Sequence, residues 1–547
     1  MQKKPLINAI LLASVALTGC GESSNDNNDR TEVINNDIGG GQVLIYKTDG
    51  TYIDAAHVGN LPDMVKFVDS ETLVVANEGE PASDYTNDPE GSISIIKLND
   101  ENKVQTVSNL GFASITLTGD VRIKPETAQE KDLEPEYVAV SEDGKKAWVS
   151  LQENNAVAIV NLEEQKIEAV KGLGKIALNQ VEMDILDDGD ANPAVTDIDN
   201  IFALRMPDTM VAYSVAGQDY FVTANEGDDR EYDAWEDYEK ASSLEDDQEN
   251  SLLSQSLQGL LDTKAKKLRV LKDMGKNEQG IYDSLYIAGT RSFTIFDAEG
   301  NPVFDSGADF ESAIASDYAE WFNTRVDDIK TNDEDFADEM EGKVEGVDYV
   351  VVGDTAYFWE GVDARSLKKG VEPEALAVHK IGEKVFAYIG LEKQGGFFVY
   401  DITSPAQASM VEYFNDIAYE KLPTQAGDLA PEGMVAFEQD GKHYLAVAHE
   451  LSSTLALFEL SANGKVSKLS SVSLGTFGEG AAEIVDYSAQ DKKLFVTNAE
   501  TKTVDIVDFS VPAQAKKVGS VDFSAYADDL QSVSVKNGLL AIAVKRR

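Results

Sequence analysis

The chain has 547 residues, of which 98 are acidic and 47 basic, for a formal net charge of −51 at pH 7. That surplus excludes nucleic acid as a partner, because such binders need a basic footprint, and it favours a hydrated exterior that attracts cations. A hydrophobic fraction of 42% suffices for a folded core, and a single cysteine excludes disulfides within the monomer.

At the start of the chain, Lys3-Lys4 precede an apolar run at 6–17, too short for a membrane-spanning helix. The run ends in Leu17-Thr18-Gly19-Cys20, which resembles the lipobox of bacterial lipoproteins. Residues 1–20 are therefore expected to be a lipoprotein signal peptide with Cys20 as the acylated residue. This places the protein on a bacterial cell envelope, at the outer membrane or cell surface, touching membrane only through its lipid. Residues 21–40 are rich in Asn, Asp and Ser and read as a flexible tether. The folded domain is expected over 41–547.

The segments 42–46 and 52–56 have strand composition and look like the third and fourth strands of a unit whose first two are missing. A repeat follows. Six short apolar strands begin on an acid: Pro62-Asp63-Met64-Val65, Pro135-Glu136-Tyr137-Val138, Pro207-Asp208-Thr209-Met210, Pro373-Glu374-Ala375-Leu376, Pro431-Glu432-Gly433-Met434 and Ala482-Glu483-Ile484-Val485. Gln531-Ser532-Val533-Ser534 has the pattern without the acid. After each acid a second strand ends in a polar cluster, as in Asn77-Glu78, Gln152-Glu153, Asn225-Glu226, Glu392-Lys393, His449-Glu450 and Asn498-Ala499-Glu500. A third and a weaker fourth strand complete the unit. The spacing is uneven, which predicts insertions near 109–131, 174–205, 228–285 and 306–368, with two helix-like acidic stretches around 234–261 and 310–340. The last segment, 538–544, looks like a second strand with nothing behind it. Four strands per repeat predict an all-β, seven-bladed β-propeller with helical insertions. Its last blade would be shared by the N- and C-terminal strands, so that neither end leaves a bare edge.

In such a ring the head of each first strand and the end of each second strand lie on one face. Asp63, Glu136, Asp208, Glu374, Glu432 and Glu483 would then meet at one mouth, beside Asn77, Glu78, Asn225, Glu226 and Glu372. Carboxylate and amide oxygens are hard ligands that suit calcium or magnesium. Calcium is the expected ion, alone or with another divalent ion or iron. Histidines are few, and His449 at a strand end is more simply a polar loop residue than a ligand. Arg365 and Arg291, with Lys368-Lys369 and Arg230 nearby in the pattern, could clamp a phosphate; the alternative for each is an ion pair with neighbouring acids. No nucleotide-type phosphate loop and no Gly-x-Ser-x-Gly nucleophile is present. Any hydrolysis would then use a metal-activated water, with Glu374, Glu432, Arg365 and Arg291 as the catalytic candidates.

The phrases Gly59-Asn60-Leu61-Pro62-Asp63-Met64, Val75-Ala76-Asn77-Glu78-Gly79-Glu80-Pro81, Asp88-Pro89-Glu90-Gly91-Ser92 and Gly370-Val371-Glu372-Pro373-Glu374-Ala375 resemble the choice-of-anchor I family of bacterial surface propellers. Members carry labels such as alkaline phosphatase or mesenchyme-specific cell surface glycoprotein. The resemblance spans about 41–544. It implies a phytase-like propeller acting as a calcium-dependent phosphoesterase on small organic phosphate esters, as a monomer. The other reading is a non-catalytic, calcium-stabilised propeller that binds protein or glycan. One departure stands out: the block from Leu474 to Val544 usually precedes the block near Gly41, so the chain resembles a circular permutant.

Overall fold

Runs of Val, Ile, Phe and Tyr bounded by Gly, Asn and Asp form strands throughout the chain, because branched and aromatic side chains pack well on a pleated surface. The computed structural model describes residues 40–332, 336 and 348–545. The signal peptide, Cys20 and the tether up to residue 39 lie outside the described residues. The protein is all-β, with two α-helices among the described residues, α1 (Gln129–Asp132) and α2 (Asp309–Asp317).

Six four-stranded sheets and one five-stranded sheet carry the repeat. Numbered by their first strands, sheet 1 begins at Pro62–Phe67, sheet 2 at Val138–Val140, sheet 3 at Met210–Val215 and sheet 4 at Pro373–Ile381. Sheet 5 begins at Pro431–Gln439, sheet 6 at Val485–Ser488 and sheet 7 at Asp529–Lys536. Within each, neighbouring strands of the repeat pair antiparallel; the fifth strand of sheet 2, Leu117–Thr118, joins parallel. Each first strand lies against the first strand of the next sheet, and that of sheet 7 lies against that of sheet 1.

Sheet 7 is built from both ends of the chain. Leu539–Lys545 pairs antiparallel with Gln42–Lys47, in register from Gln42↔Val544 to Lys47↔Leu539, and Tyr52–His57 closes the sheet. The buried faces of these strands (Val43, Ile45, Leu540, Ile542) are apolar on both sides, so the pairing removes two unpaired edges and buries two apolar surfaces at once. Large rings fill the space between sheets. Phe221 stacks on Phe296 and lies beside Trp148 between sheets 2 and 3, and Phe310 of α2 stacks on Phe398 of sheet 4. Each such side chain contributes roughly 1.5–3 kcal/mol by leaving water.

The structure differs from the sequence expectation at 234–261. That stretch holds no α-helix; it contains the short strands Trp235–Glu236 and Tyr238–Lys240 and single 3₁₀ turns. Tyr238–Lys240 pairs with Arg269–Leu271, and the Asp237 carboxylate accepts from Arg122 at 2.6 Å and from the Arg230 backbone at 3.1 Å. The pairing with Arg269–Leu271 takes up backbone groups that a helix would have satisfied internally. The 310–340 stretch does carry α2 and then the strand Val326–Lys330. No helix among the described residues is long and apolar enough to cross a membrane.

Deleting residues 538–547 removes the second strand of sheet 7 and bares both of its neighbours. A thermal melt of this variant is expected to show aggregation or a Tm lower by about 10 °C or more. An unchanged melt would contradict closure through the termini.

Candidate metal centre

The acids reach the mouth through a repeated backbone device. In sheets 1, 4 and 5 the pairing register shifts just after the leading proline, so Asp63, Glu374 and Glu432 each sit in a bulge. A bulge bends the strand and re-aims a side chain, and proline tolerates the first position because it has no N–H to contribute to the ladder. The residue before four of the five leading prolines is strained: Leu61, Met206, Glu372 and Ala430 have φ of 51°, 43°, 49° and 59°. Non-glycine residues in this region each cost on the order of 1 kcal/mol or more. Hydrogen bonds compensate. The carbonyls of Leu61, Glu372 and Ala430 accept from the backbone N–H of Glu78, Glu392 and Glu450, each at 2.9 Å, and that of Met206 accepts from Gly227 at 3.0 Å. These bonds lock the end of each second strand against the head of its first strand, which brings two sets of acids to one face. Gly433 serves the same convergence, since a Cβ there would lie 2.3 Å from the Glu483 carbonyl oxygen.

Asp63, Glu136, Asp208, Glu374, Glu432 and Glu483 line a single cavity of about 330 Å³, together with Glu78, Glu226 and Gln531. It shares Glu78, Glu136, Gln152, Asp228 and Gln531 with a wider basin of about 1390 Å³. Burial, reinforced by neighbouring carboxylates, pushes Glu136, Asp208, Glu374 and Glu432 well above the usual carboxylate range. Burial likewise raises Asp63 to about 7 and Glu483 to about 8.

Within this mouth Asp208, Glu226 and Glu374 each offer an oxygen within 4.8 Å of the others. At that spacing two ionised carboxylates repel by about 3 kcal/mol even at an effective dielectric of about 20. Three such pairs rival the stability of a whole domain, so the cluster requires protons or a cation. Glu374 is 8% exposed and its Oε2 has no donor. Glu226 is oriented from outside, by Gln152 Nε2 at 2.8 Å and Lys369 Nζ at 3.1 Å, and burial raises it to about 7 despite Lys369. An all-oxygen set with a spare buried acceptor fits a hard divalent ion.

A second acidic group, Glu226, Glu372 and Glu392, is different in kind. Glu372 meets Arg365 at 2.5 Å and Lys369 at 3.0 Å, and Lys393 pairs with Glu392. Burial opposes ionisation of Glu372, but Arg365, Lys369 and Lys393 outweigh it and hold the carboxyl at about 2. Side-chain cations already occupy this position, so Glu372 is an ion-pair partner here.

Other expected site residues lie elsewhere. Asn77 and Asn225 are fully buried and donate to Ser and Thr groups within their own sheets, and neither lines the cavity. Arg291, 2% exposed, donates to the carbonyls of Asp184, Ser366 and Lys368 and to Glu311. It pins insertions together and is absent from the basin wall. Arg365 does line the basin, though it is only 3% exposed and engaged with Glu372. His449 is buried, with Nδ1 on the Val447 carbonyl. Sequence reasoning passed over Glu153, Glu392 and Glu450, which share the strand-end register of Glu78 and Glu226 and were legible from it. Lys369, expected beside a phosphate clamp, is instead held by Glu372 three residues on and by Glu226 and Asp228 from a distant segment.

Fold and mouth together define an all-β protein of repeated antiparallel sheets with a buried acidic centre. A model of the choice-of-anchor I domain matches residues 23–405, and the chain belongs to that family. A stretch of 139 residues is 29% identical to Gigasin-3a of Magallana gigas, covering 25% of this chain and 40% of that protein. Among solved structures, a periplasmic gluconolactonase of Pseudomonas aeruginosa aligns with a TM-score of 0.43 at 12% identity, over 88% of this chain and 96% of that one. The Cps50 β-propeller domain of Myceliophteria thermophila aligns with a TM-score of 0.36 at 7% identity, over 88% and 97%.

The raised acids set the sign of a pH effect. An acid whose folded pKa exceeds its unfolded value holds a proton preferentially in the native state. Its stabilisation is complete below the unfolded pKa and is lost as pH rises through the folded one. With Asp63 and Glu226 near 7 and Glu483 near 8, Tm in chelator should fall between pH 5 and pH 9. Calcium should restore it at the alkaline end, since a cation replaces the protons. Scanning fluorimetry at four pH values checks both arms.

Proposed function

We propose that this protein is a seven-bladed β-propeller on a bacterial cell surface whose mouth holds a divalent cation, calcium first, and hydrolyses small organic phosphate esters. The cyclic succession of first strands and the sheet shared by both termini support the seven blades. The observation that carries the chemistry is the Asp208, Glu226 and Glu374 cluster, with its buried orphan oxygen. It opens into a basin large enough for a small ester.

A bound divalent ion would polarise a phosphoryl oxygen and lower the pKa of a water. The chain would supply the rest. Asp208, Glu226 and Glu374 hold the ion, and Gln152 with Lys369 keeps Glu226 in place. Glu432, raised by burial and by Glu450, Glu392, Asp208 and Glu483, keeps a proton at the mouth and can deliver it to a leaving oxygen. Arg365 is the clamp only if it leaves Glu372. That engagement favours a second reading, a non-catalytic propeller in which the ion is structural and the face binds protein or glycan.

Turnover of a chromogenic phosphomonoester over pH 6–10, with calcium and with chelator, separates the two. Activity is expected with calcium alone, and Glu374→Gln should lower it about 10²–10³-fold, the scale of losing one preorganised charge-stabilising group. No turnover of phosphomonoester, phosphodiester or phytate would leave the binding reading. For the anchor, Cys20→Ser is expected to shift the protein from the membrane fraction to the soluble fraction; retention on the membrane would mean that another anchor holds it.

A further inference from the structure

We infer that one wall of the basin is an oxyanion subsite built on Lys368, with Lys240 and Lys267 beside it, that takes the phosphate of a small phosphomonoester. The three lysines line the same basin and come from three segments. Lys240 ends the strand Tyr238–Lys240, Lys267 ends a 3₁₀ turn, and Lys368 follows Leu367 in the loop before sheet 4. Arg269 joins them: it is the register partner of Lys240, lies two residues after Lys267, and its backbone N–H donates to the Leu367 carbonyl at 3.0 Å.

What sets these lysines apart is the absence of counter-ions. The chain has about twice as many acids as bases, and the other basic residues of the basin are paired. Arg269 meets Asp229 at 3.0 Å, Arg325 meets Glu360 at 2.8 Å, and Lys369 meets Asp228 at 2.6 Å. Among the described residues, the ammonium groups of Lys240, Lys267 and Lys368 have no carboxylate within ion-pair distance. Lys368 is half-buried, and burial together with the nearby Arg325 and Arg365 disfavours its charge more than Glu360 and Asp327, beyond ion-pair distance, favour it. A half-buried ammonium with no carboxylate in direct contact is an arrangement that an incoming dianion relieves.

The wall is also next to the acidic mouth. Lys369, adjacent in the chain, reaches Glu226 and Asp228. The basin and the mouth share Glu78, Glu136, Gln152, Asp228 and Gln531, so a ligand anion on Lys368 would lie in the space that opens onto the Asp208, Glu226 and Glu374 cluster. The subsite deepens the phosphoesterase reading and rests on it only for the identity of the ligand; three basin ammonium groups without a carboxylate at ion-pair distance support anion binding on this wall, although acids line the rest of the basin.

The test is calorimetry on the full chain in excess chelator, with glycerol phosphate in one arm and inorganic phosphate in the other. Glycerol phosphate is expected to bind at least as tightly as inorganic phosphate. Lys368→Ala should weaken both at least tenfold, Lys368→Arg should stay within about threefold of wild type, and Lys103→Ala, outside the basin, should change nothing. If Lys368→Ala melts abnormally, the exposed pair Lys240→Ala and Lys267→Ala carries the same expectation. Binding of neither anion, or equal binding by wild type and the lysine variants, overturns the subsite. Binding of inorganic phosphate alone overturns the ester assignment. Because no turnover is measured, a failed hydrolysis assay with intact binding rejects the catalysis and leaves the subsite standing.

Discussion

Buried like charge is the constraint on which this molecule turns. Carboxylates from six successive sheets meet in a cavity of about 330 Å³, where burial weakens the screening of their repulsion. An ordinary fold would scatter these groups onto its surface. Here bulges, four positive-φ residues before prolines, and a glycine that admits a neighbouring backbone all act to keep them together. Strain of this kind persists only where the surroundings over-determine it, and the repeated bonds between strand heads and strand ends do so.

The mouth manages its charge in two ways. On the side of sheet 4, side-chain cations neutralise the acids: Lys369 lies among Glu226, Asp228 and Glu372, and Arg365 completes the pairing. On the side of Asp208 and Glu374, among the described residues, no side-chain cation comes within ion-pair distance and Lys393 acts on Glu374 only from further off, so protonation or an exogenous cation would complete the neutralisation. Glu226 belongs to both groups, so the internal ammonium and any bound ion act on the same carboxylate. A pH-sensitive and cation-sensitive centre follows from that sharing.

The insertions are attached by buried arginines. Arg122 bonds Asp237 and grips Asp273 through two nitrogens, Arg230 reaches Glu134 and the Asp132 carbonyl, and Arg291 joins Glu311 to three carbonyls. Buried ion pairs are weak net stabilisers because desolvation offsets attraction, whereas breaking one leaves a charge stranded at a cost of about 3–5 kcal/mol. They therefore define position more than they add stability. Their effect is to position the basin-lining segments 228–240 and 360–369.

The sequence by itself determined the repeat, the strands, the pairing of the two chain ends and the six acids of the mouth. Each of these is written in local pattern: an acid at the head of an apolar run, strand composition bounded by turn residues, an incomplete unit at either terminus. Tertiary structure alone decided which charges are free. Arg365 and Arg291 look like clamps in the sequence, yet one is held by Glu372 and the other is spent on distant carbonyls. Asn77 and Asn225 look like ligands and instead tie strands together. The stretch 234–261 looks helical and is drawn into strand pairing by Arg269–Leu271. The partners in these cases lie from seven residues away, for Arg365 and Glu372, to more than a hundred, for Arg291 and Asp184, and only the folded chain decides which of the nearby groups each side chain meets.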